Sequence, residues 1–445
     1  DPRGSTGAVF FSVIHSSFCV RHMARTRTMP LRLGLVLFVA SARASLDADS
    51  DADLRHLHAN STSSVYPAGS LADRVAGALW GMLIADALAS PAHWFYGGAP
   101  QITRTFGGPL TDYVQPVQHR GGFPGSIMAL SDTSGAGRGS DEGDIVGTVI
   151  NHGKKQYWQR GSNYHYHCTL KKGENTLEGE LTRLMVRHLT GQVGSDFDLD
   201  AFQSEYVSFM TTAGSHNDAY CNSYHRLFFQ RRAQGKPLRD CPSNDGHNVD
   251  AIDGLIFPSV VFLGTFARTL SRGGATSDPL ATSAILEQSS RQAQLSVRAT
   301  RKSRPVERYV EQHYTPIYAA VLSGVPLQEA VARSPLGQHR QVGVGEDPVV
   351  ACYLDSNFES LLHLAKKYGG NFEAAVLANA NSGGENVHRG LVLGALLGAE
   401  AGASGISDKW RTGLINFDAL QLEIRKFVAA TTGHSGRAER GRTDL

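Results

Sequence analysis

The chain has 445 residues, of which 41% are hydrophobic and 19% charged, and its formal net charge is +2 at pH 7. These values are typical of globular proteins and exclude a disordered chain of high net charge. Much of the basic excess lies near the two ends of the chain, so the composition does not support nucleic-acid binding.

Residues 1–44 have the composition of a targeting segment. From Met29 the sequence reads MPLRLGLVLFVASARA, an early arginine and an apolar stretch followed by small residues that match an A-x-A cleavage signal. If translation begins at this methionine, residues 1–28 are untranslated. A secretory signal, leading to secretion or the endomembrane lumen, is the preferred interpretation, and a plastid transit peptide is the alternative because residues 2–46 contain no Asp or Glu. The apolar stretch is shorter than the ~20 residues that span a bilayer, so the sequence predicts no membrane partner.

The globular part of the chain is predicted to be helical. Residues 45–70, which include DADSDAD, have too few apolar side chains to fold and are expected to form a disordered linker. The domain is then expected over residues 71–431, with a disordered tail over 432–445. Apolar residues at helical spacing predict helices over 71–90, 177–190, 198–212, 254–271, 283–298, 305–313, 317–332, 357–368, 372–380, 387–402 and 416–431.

Two of these segments carry small residues at every fourth position. The members of the two stripes are Gly77, Gly81, Ala85 and Ala89, and Gly390, Gly394, Gly398 and Gly402. Positions four apart share one face of a helix, so each segment offers a smooth ridge to another backbone. Glycine within a helix costs about 1 kcal/mol relative to alanine, and tight packing must compensate that cost. We therefore expect the two helices to meet near the centre of one domain.

Three polar clusters adjoin the predicted helices. The first is Asp86 with His93, the second is Gly173-Glu174-Asn175-Thr176, and the third runs over 383–389 and reads GGENVHR. Capping of the helices that follow explains the second and third clusters equally well. If the three loops instead converge, oxygen ligands from Glu174, Asn175 and Glu385 form a site for a hard cation such as Mg²⁺.

Other polar residues give weaker signals. His93 and His388 are nitrogen donors that suit transition metals better than Mg²⁺. His165, His167 and Cys168 lack a spaced second ligand pair, so we predict no metal site there. Of the remaining acidic residues, Asp218 precedes an aromatic segment that either lines a purine pocket or packs in the core, and Asp253 is expected to cap a helix.

The motifs around the striped helices resemble those of the ADP-ribosylglycohydrolase family. GALWGMLIADALASPAHWFY is similar to the family's first helix, and GGENVHRGLVLGALLGAEAG to its last motif, G-G-D-x-D-T followed by a glycine-rich helix. KKGENTLEGELTRLMVRHL stands where the family carries T-D-D-T. The resemblance implies an all-α, single-domain orthogonal helical bundle over 71–431.

The family pattern assigns roles to particular positions of this sequence. Hydrolytic members hold two Mg²⁺ ions with acidic and threonine residues in these motifs, and a glutamate of the first motif assists catalysis. His93 stands at that glutamate, and only Glu174 and Glu385 keep a carboxylate among the ligand positions. HWFY, GENT and GGENVHRG further resemble the branch that contains J1 crystallins and selenoprotein J.

The resemblance supports two hypotheses on function. In the first, the protein hydrolyses ADP-ribosyl N- or O-glycosidic bonds with a degenerate Mg²⁺ site; its substrate is an ADP-ribose-type molecule or an ADP-ribosylated protein. In the second, it is a non-catalytic, J1-crystallin-like structural or nucleotide-binding protein. The residues assigned by the first hypothesis are His93, Glu174, Glu385 and His388 for catalysis, Glu174, Asn175 and Glu385 for the metal, and Asp86 and Asn386 for ligand binding. The sequence leaves the oligomeric state open.

Overall fold

The computed structural model describes residues 65–130, 145–192, 196–246, 248–273, 279–339 and 341–434. The targeting segment predicted at 1–44 lies outside these residues, as do positions 45–64 of the predicted linker and 435–445 of the predicted tail. The described residues belong to one compact unit. That unit begins before Leu71, because Tyr66 packs in the core and the Ser70 hydroxyl caps the first helix.

The described residues form helices and turns, with isolated β-bridges and no β-strand among them, which confirms the all-α fold. The α-helices are α1 (Leu71–Ala89), α2 (Gly98–Phe106), α3 (Leu177–Gly191), α4 (Leu199–Thr211), α5 (Ser223–Ala233), α6 (Ile256–Gly273), α7 (Pro279–Val297), α8 (Arg304–Tyr309), α9 (Thr315–Leu322), α10 (Leu327–Arg333), α11 (Leu354–Tyr368), α12 (Phe372–Ser382), α13 (Asn386–Gly405), α14 (Asp408–Thr412) and α15 (Phe417–Thr432).

The structure differs from the predicted helices at several places. The helix predicted over 317–332 is two helices, α9 and α10, because Gly324 at φ +96° and Pro326 interrupt it. Helices α2, α5 and α14 were not predicted. The segment of α5 mixes aromatic and basic residues without a clear apolar stripe, so its periodicity is weak.

Helices α1 and α13 pack backbone to backbone along their glycine stripes. A Cβ atom on Gly81 would overlap the carbonyl oxygen of Gly394, and one on Gly77 would overlap that of Gly398. The reverse holds for Gly394 and Gly398 against α1. The prediction that the two helices meet at the centre of the domain is therefore confirmed. Their contact places the segment that follows α1 beside the turn that precedes α13.

The second stripe ends in a kink. Gly402 has φ +67° and ψ 162°, which is outside the helical region and favours glycine. Buried Asp73 accepts hydrogen bonds there from the Ser404 backbone N–H at 2.9 Å and its hydroxyl at 2.7 Å. Asp73 thus joins the start of α1 to the kinked end of α13.

Two segments are long and apolar enough to cross a membrane, at Leu71–Ala92 and Ile252–Gly273. The most apolar window of the first is 100% buried inside the protein and that of the second 83%. Both segments therefore serve as core helices of this fold.

Candidate functional site

Three helix ends bring polar side chains to one place. A 3₁₀ turn at Ser90–Ala92 follows α1 and places His93 and Trp94 beside the turn that precedes α13. The side chain of Glu385 caps α13, and His388 lies in the first turn of that helix. The first turn of α3 contributes Glu178.

His93, Glu385 and His388 form a buried cluster, called the His–Glu cluster below. His93 Nε2 lies 2.9 Å from Glu385 Oε1, and His388 Nδ1 lies 2.8 Å from the same oxygen. The other oxygen of Glu385 accepts a hydrogen bond from Trp94 Nε1 at 2.6 Å. Among the described residues, this is the one group of three His, Cys, Asp or Glu side chains whose ligand atoms lie within 4.8 Å of one another. The structure therefore joins three of the four residues predicted to be catalytic.

A third imidazole and a second carboxylate extend the cluster on one side. His93 Nδ1 lies 2.7 Å from His167 Nε2, and His167 Nδ1 lies 3.0 Å from both oxygens of Asp218. Asp218 also accepts hydrogen bonds from the backbone N–H groups of Leu177 and Tyr220. This row of groups fixes the orientation of the His93 ring.

Glu178 and Asn222 extend the cluster on the other side. Glu178 Oε2 lies 3.7 Å from His388 Nε2, and Glu178 Oε1 accepts a hydrogen bond from Asn222 Nδ2 at 3.1 Å. Asn222 Nδ2 also donates to Asp253 Oδ2 at 2.8 Å. Asp253 does not cap a helix as predicted, because it forms a buried ion pair with Arg301.

Burial and mutual charge set the protonation of the cluster. Burial lowers the pKa of His93 to about 4, so this ring is neutral near pH 7. Burial acts to raise the pKa of Glu385, but His388 and His93 outweigh it and hold that pKa well below its usual range. Burial acts in the opposite sense on His388, whose pKa is nevertheless raised well above its usual value by Glu385 and Glu178. Without a bound cation, the cluster is an ionised carboxylate beside an imidazolium.

The predicted ligand Asn175 is used inside the fold. Its Nδ2 donates to Asp86 Oδ2 at 2.8 Å and to the Leu83 carbonyl at 2.8 Å. Thr176 donates to Asp86 through its backbone N–H and its hydroxyl, so Asp86 holds the start of α3 against α1. Despite these hydrogen bonds, burial raises the pKa of Asp86 to about 6. Asp86 and Asn175 therefore form buried hydrogen bonds that join α1 to the start of α3.

Glu174 and Asn386 also lie apart from the chemistry assigned to them. Glu174 is half-buried, and its Oε2 accepts from the Lys171 backbone N–H at 2.8 Å and from Asn217 Nδ2 at 3.1 Å. Asn386 Nδ2 donates to the Ala380 carbonyl at 2.9 Å and so ties the end of α12 to the start of α13. The hydrogen bonds of Glu174 and Asn175 described here therefore go to partners other than Glu385.

Sequence reasoning missed Glu178, Asn222 and His167 as parts of the site. Glu178 lies off the apolar stripe of its helix, a position typical of exposed residues, although it is 1% exposed. Its place in the first turn of α3, directly after a motif loop, is the signal that would have indicated it. His167 was set aside for lack of a second ligand pair, and the pattern gave no sign that Asp218 would reach it.

The surface above the cluster is apolar. Tyr96, Val349 and Tyr353 are 57%, 41% and 40% exposed, although most large apolar side chains are buried. Partial burial raises the pKa of Tyr96, and the nearby Glu385 and Tyr353 raise it further. A cavity of about 10 Å³, the size of one water molecule, lies deeper between Glu178 and Tyr224.

These features define an all-helical protein with a buried acid–base cluster at the junction of two glycine-striped helices. The chain belongs to the ADP-ribosylglycohydrolase family, whose model matches residues 67–437. No curated protein matches the sequence. A solved structure described as an "ADP-ribosylglycohydrolase-related protein complex" is similar, with 17% identity and a TM-score of 0.46, over 82% of this chain and 99% of that chain. The assignment rests on the family model, and the J1-crystallin branch stays a prediction.

Proposed function

We propose that the protein hydrolyses an N- or O-glycosidic bond between ADP-ribose and its acceptor, in a small molecule or an ADP-ribosylated protein. Family membership supports hydrolase chemistry of this class. The observation that carries the proposal is the His–Glu cluster, which places two imidazoles within hydrogen-bond distance of one carboxylate oxygen. Such a set supplies both a proton acceptor and a proton donor.

The directions of the pKa shifts assign the two roles. Ionised Glu385 accepts a proton from water as the water oxygen bonds to the anomeric carbon. Protonated His388 donates its proton to the acceptor atom as the glycosidic bond breaks. His93, neutral near pH 7, lies 2.9 Å from the Glu385 carboxylate and borders the site of the reaction. Glu174, which lies outside the cluster, takes no part in this step.

Mg²⁺ does not fit the residues at this site. Mg²⁺ prefers oxygen ligands in an octahedron, whereas the His–Glu cluster offers one carboxylate and two imidazole nitrogens. The Asn175 amide donates to Asp86, and Glu174 is held by Lys171 and Asn217. The reaction proposed here therefore includes no step through Mg²⁺.

The exposed apolar patch supports a route for the substrate. Aromatic side chains stack on purine bases, which contributes about 1–3 kcal/mol per base in nucleic-acid complexes. Tyr96 and Tyr353 present such surfaces next to the turn that holds Glu385. We place the adenine on these rings, with the ribose toward the cluster. Because the cluster is fully buried, the turn at Gly383 and Gly384 must open to admit the ribose.

Release of ADP-ribose from two substrates tests the proposal. One substrate carries ADP-ribose on arginine, an N-glycoside, and the other carries it on serine, an O-glycoside. We expect the wild-type protein to act on at least one, and Glu385→Gln to lower the rate by about 10²–10⁴-fold. Glu205→Gln, a change on α4 outside the cluster, is the matched control and leaves the rate unchanged.

Binding of ADP-ribose separates this function from the non-catalytic alternative. Calorimetric titration, once with Mg²⁺ and once with EDTA, is expected to show binding in both buffers, because no Mg²⁺ site is involved. Binding without turnover of either glycoside would favour a nucleotide-binding protein. If ADP-ribose does not bind and neither glycoside is hydrolysed, the proposal is refuted and the crystallin-like role is favoured.

A further inference from the structure

The tautomer of His93 is fixed by its neighbours. Both oxygens of Asp218 face His167 Nδ1, so this nitrogen donates its proton to the carboxylate. With a single proton on the His167 ring, Nε2 is the acceptor and His93 Nδ1 donates to it across 2.7 Å. With its proton on Nδ1, neutral His93 directs the lone pair of Nε2 at Glu385 Oε1.

His388 is oriented in the same way from the other side. Asn222 Nδ2 lies 2.8 Å from Asp253 Oδ2, 3.1 Å from Glu178 Oε1 and 3.3 Å from His388 Nε2; its two protons cannot serve all three, and the two carboxylate oxygens are the nearer acceptors. His388 Nε2 then carries the ring proton and faces Glu178 Oε2 at 3.7 Å, an oxygen with no hydrogen-bond partner. Neutral His388 then directs the lone pair of Nδ1 at Glu385 Oε1. Nδ1 is 2.8 Å from that oxygen but makes no hydrogen bond of acceptable angle, and the residue is 1% exposed.

The second oxygen of Glu385 accepts a hydrogen bond from Trp94 Nε1–H, which leaves Oε1 facing the two rings. Two nitrogen lone pairs and one carboxylate oxygen thus converge on one buried point. Lone pairs repel one another there unless a positive charge lies between them.

We infer that His93 Nε2, His388 Nδ1 and Glu385 Oε1 bind one divalent transition-metal cation of the Zn²⁺ class. A His₂Glu set with a fourth position left for water or substrate is characteristic of catalytic zinc sites. Zn–N and Zn–O bonds of about 2.0–2.2 Å place tetrahedral ligands about 3.3 Å apart. The observed separations of 2.9 and 2.8 Å need to widen by only about half an ångström.

The surrounding groups match the second shell of such a site. A ligating histidine usually donates its other N–H to a carboxylate or another acceptor, which fixes the ring. His93 does so through His167 and Asp218, and His388 Nε2 faces the Glu178 carboxylate at 3.7 Å. The carboxylates of Glu385, Glu178 and Asp218 are buried around the two ligand rings. A divalent cation offsets most of the negative charge of these carboxylates.

Bound Zn²⁺ would take the place of the His388 proton and would hold Glu385, so this inference and the metal-free acid–base roles proposed above are alternatives for the same cluster. Metal binding is measured without substrate, so it decides between these alternatives separately from the test for hydrolysis. The full-length protein is stripped with EDTA, dialysed and titrated with Zn²⁺, with Co²⁺ as a spectroscopic probe. We expect about one Zn²⁺ per chain, with an X-ray absorption first shell of N and O at about 2.0–2.2 Å that includes imidazole scattering. Equal amounts of Mg²⁺ do not displace it.

Three variants locate the site. His93→Ala and His388→Ala are expected to weaken Zn²⁺ binding at least 100-fold, and Asp218→Asn, which acts through His167, by about 10–100-fold. His188→Ala is the matched control, because His188 is a buried histidine outside the cluster that pairs with Glu205 on α4. This variant is expected to bind Zn²⁺ as the wild type does. Circular dichroism confirms that each variant is folded.

The proposal is overturned if wild-type protein takes up no Zn²⁺, if its bound zinc shows only oxygen scattering, or if His93→Ala binds as the wild type does. The first result would leave a proton on His388 as the charge that holds the cluster together. The spectrum of the wild-type protein decides this point even if a variant fails to fold.

Discussion

A methyl group at Gly81 tests the close contact of α1 and α13 directly. In Gly81→Ala the new Cβ would overlap the Gly394 carbonyl oxygen and lie 3.0 Å from the Gly398 Cα. All of these atoms belong to backbone, so no side chain can rotate away. Alanine gains about 1 kcal/mol in helix propensity. Overpacking costs about 1–3 kcal/mol, and we take the upper end because two helices must separate. The net destabilisation is about 2 kcal/mol.

The assay is thermal unfolding followed by circular dichroism. A domain of this size has an unfolding entropy of roughly 0.8 kcal/mol per degree, so Tm falls by about 3 °C. Gly191→Ala is the matched control, since Gly191 ends α3 with open space around it, and there the propensity gain raises Tm by about 1 °C. If Gly81→Ala raises Tm as Gly191→Ala does, the two backbones do not touch and the packing described here is wrong.

Two further predictions concern buried charges. Because burial raises the pKa of Asp86 to about 6, above the ~3.9 of an unfolded chain, the native state takes up this proton first as the pH falls. The stability of the wild type relative to Asp86→Asn should therefore increase by about 2 kcal/mol between pH 7.5 and pH 4.5 in urea titrations, and a constant difference would contradict the shift. Arg301→Met leaves Asp253 without its buried partner and should cost about 3–5 kcal/mol. Arg239→Met, which breaks the exposed pair with Asp200, should leave Tm unchanged, and equal effects of the two changes would refute the distinction.

The sequence was sufficient for the fold because its strongest pattern is also the main packing interface. Glycine at every fourth position has few explanations other than close helix contact, and the structure shows that contact at Gly77 and Gly398. Shorter elements were harder to predict. Helix α5 has no clear stripe, and the break between α9 and α10 depends on Gly324 and Pro326 within an otherwise periodic segment.

The site was predicted in part. His93, Glu385 and His388 adjoin the striped helices, so their meeting follows from the contact of α1 and α13. Glu174 and Asn175 contact different partners, because adjacent residues at a helix entry point in different directions, which one-dimensional spacing does not show. His167 and Glu178 came from segments whose tertiary positions no local pattern predicts.

The pairing of α1 with α13 has a consequence for how the chain reaches its native state. More than 300 residues separate Gly81 from Gly394, so the central interface closes one of the longest loops in the protein. Contacts of such sequence separation slow folding. During synthesis, α1 leaves the ribosome long before its partner exists, with an apolar surface that is entirely buried in the finished fold. A chain that stops before Asn386 therefore lacks the second half of its own core, and we expect it to aggregate or be degraded rather than to persist as a smaller domain.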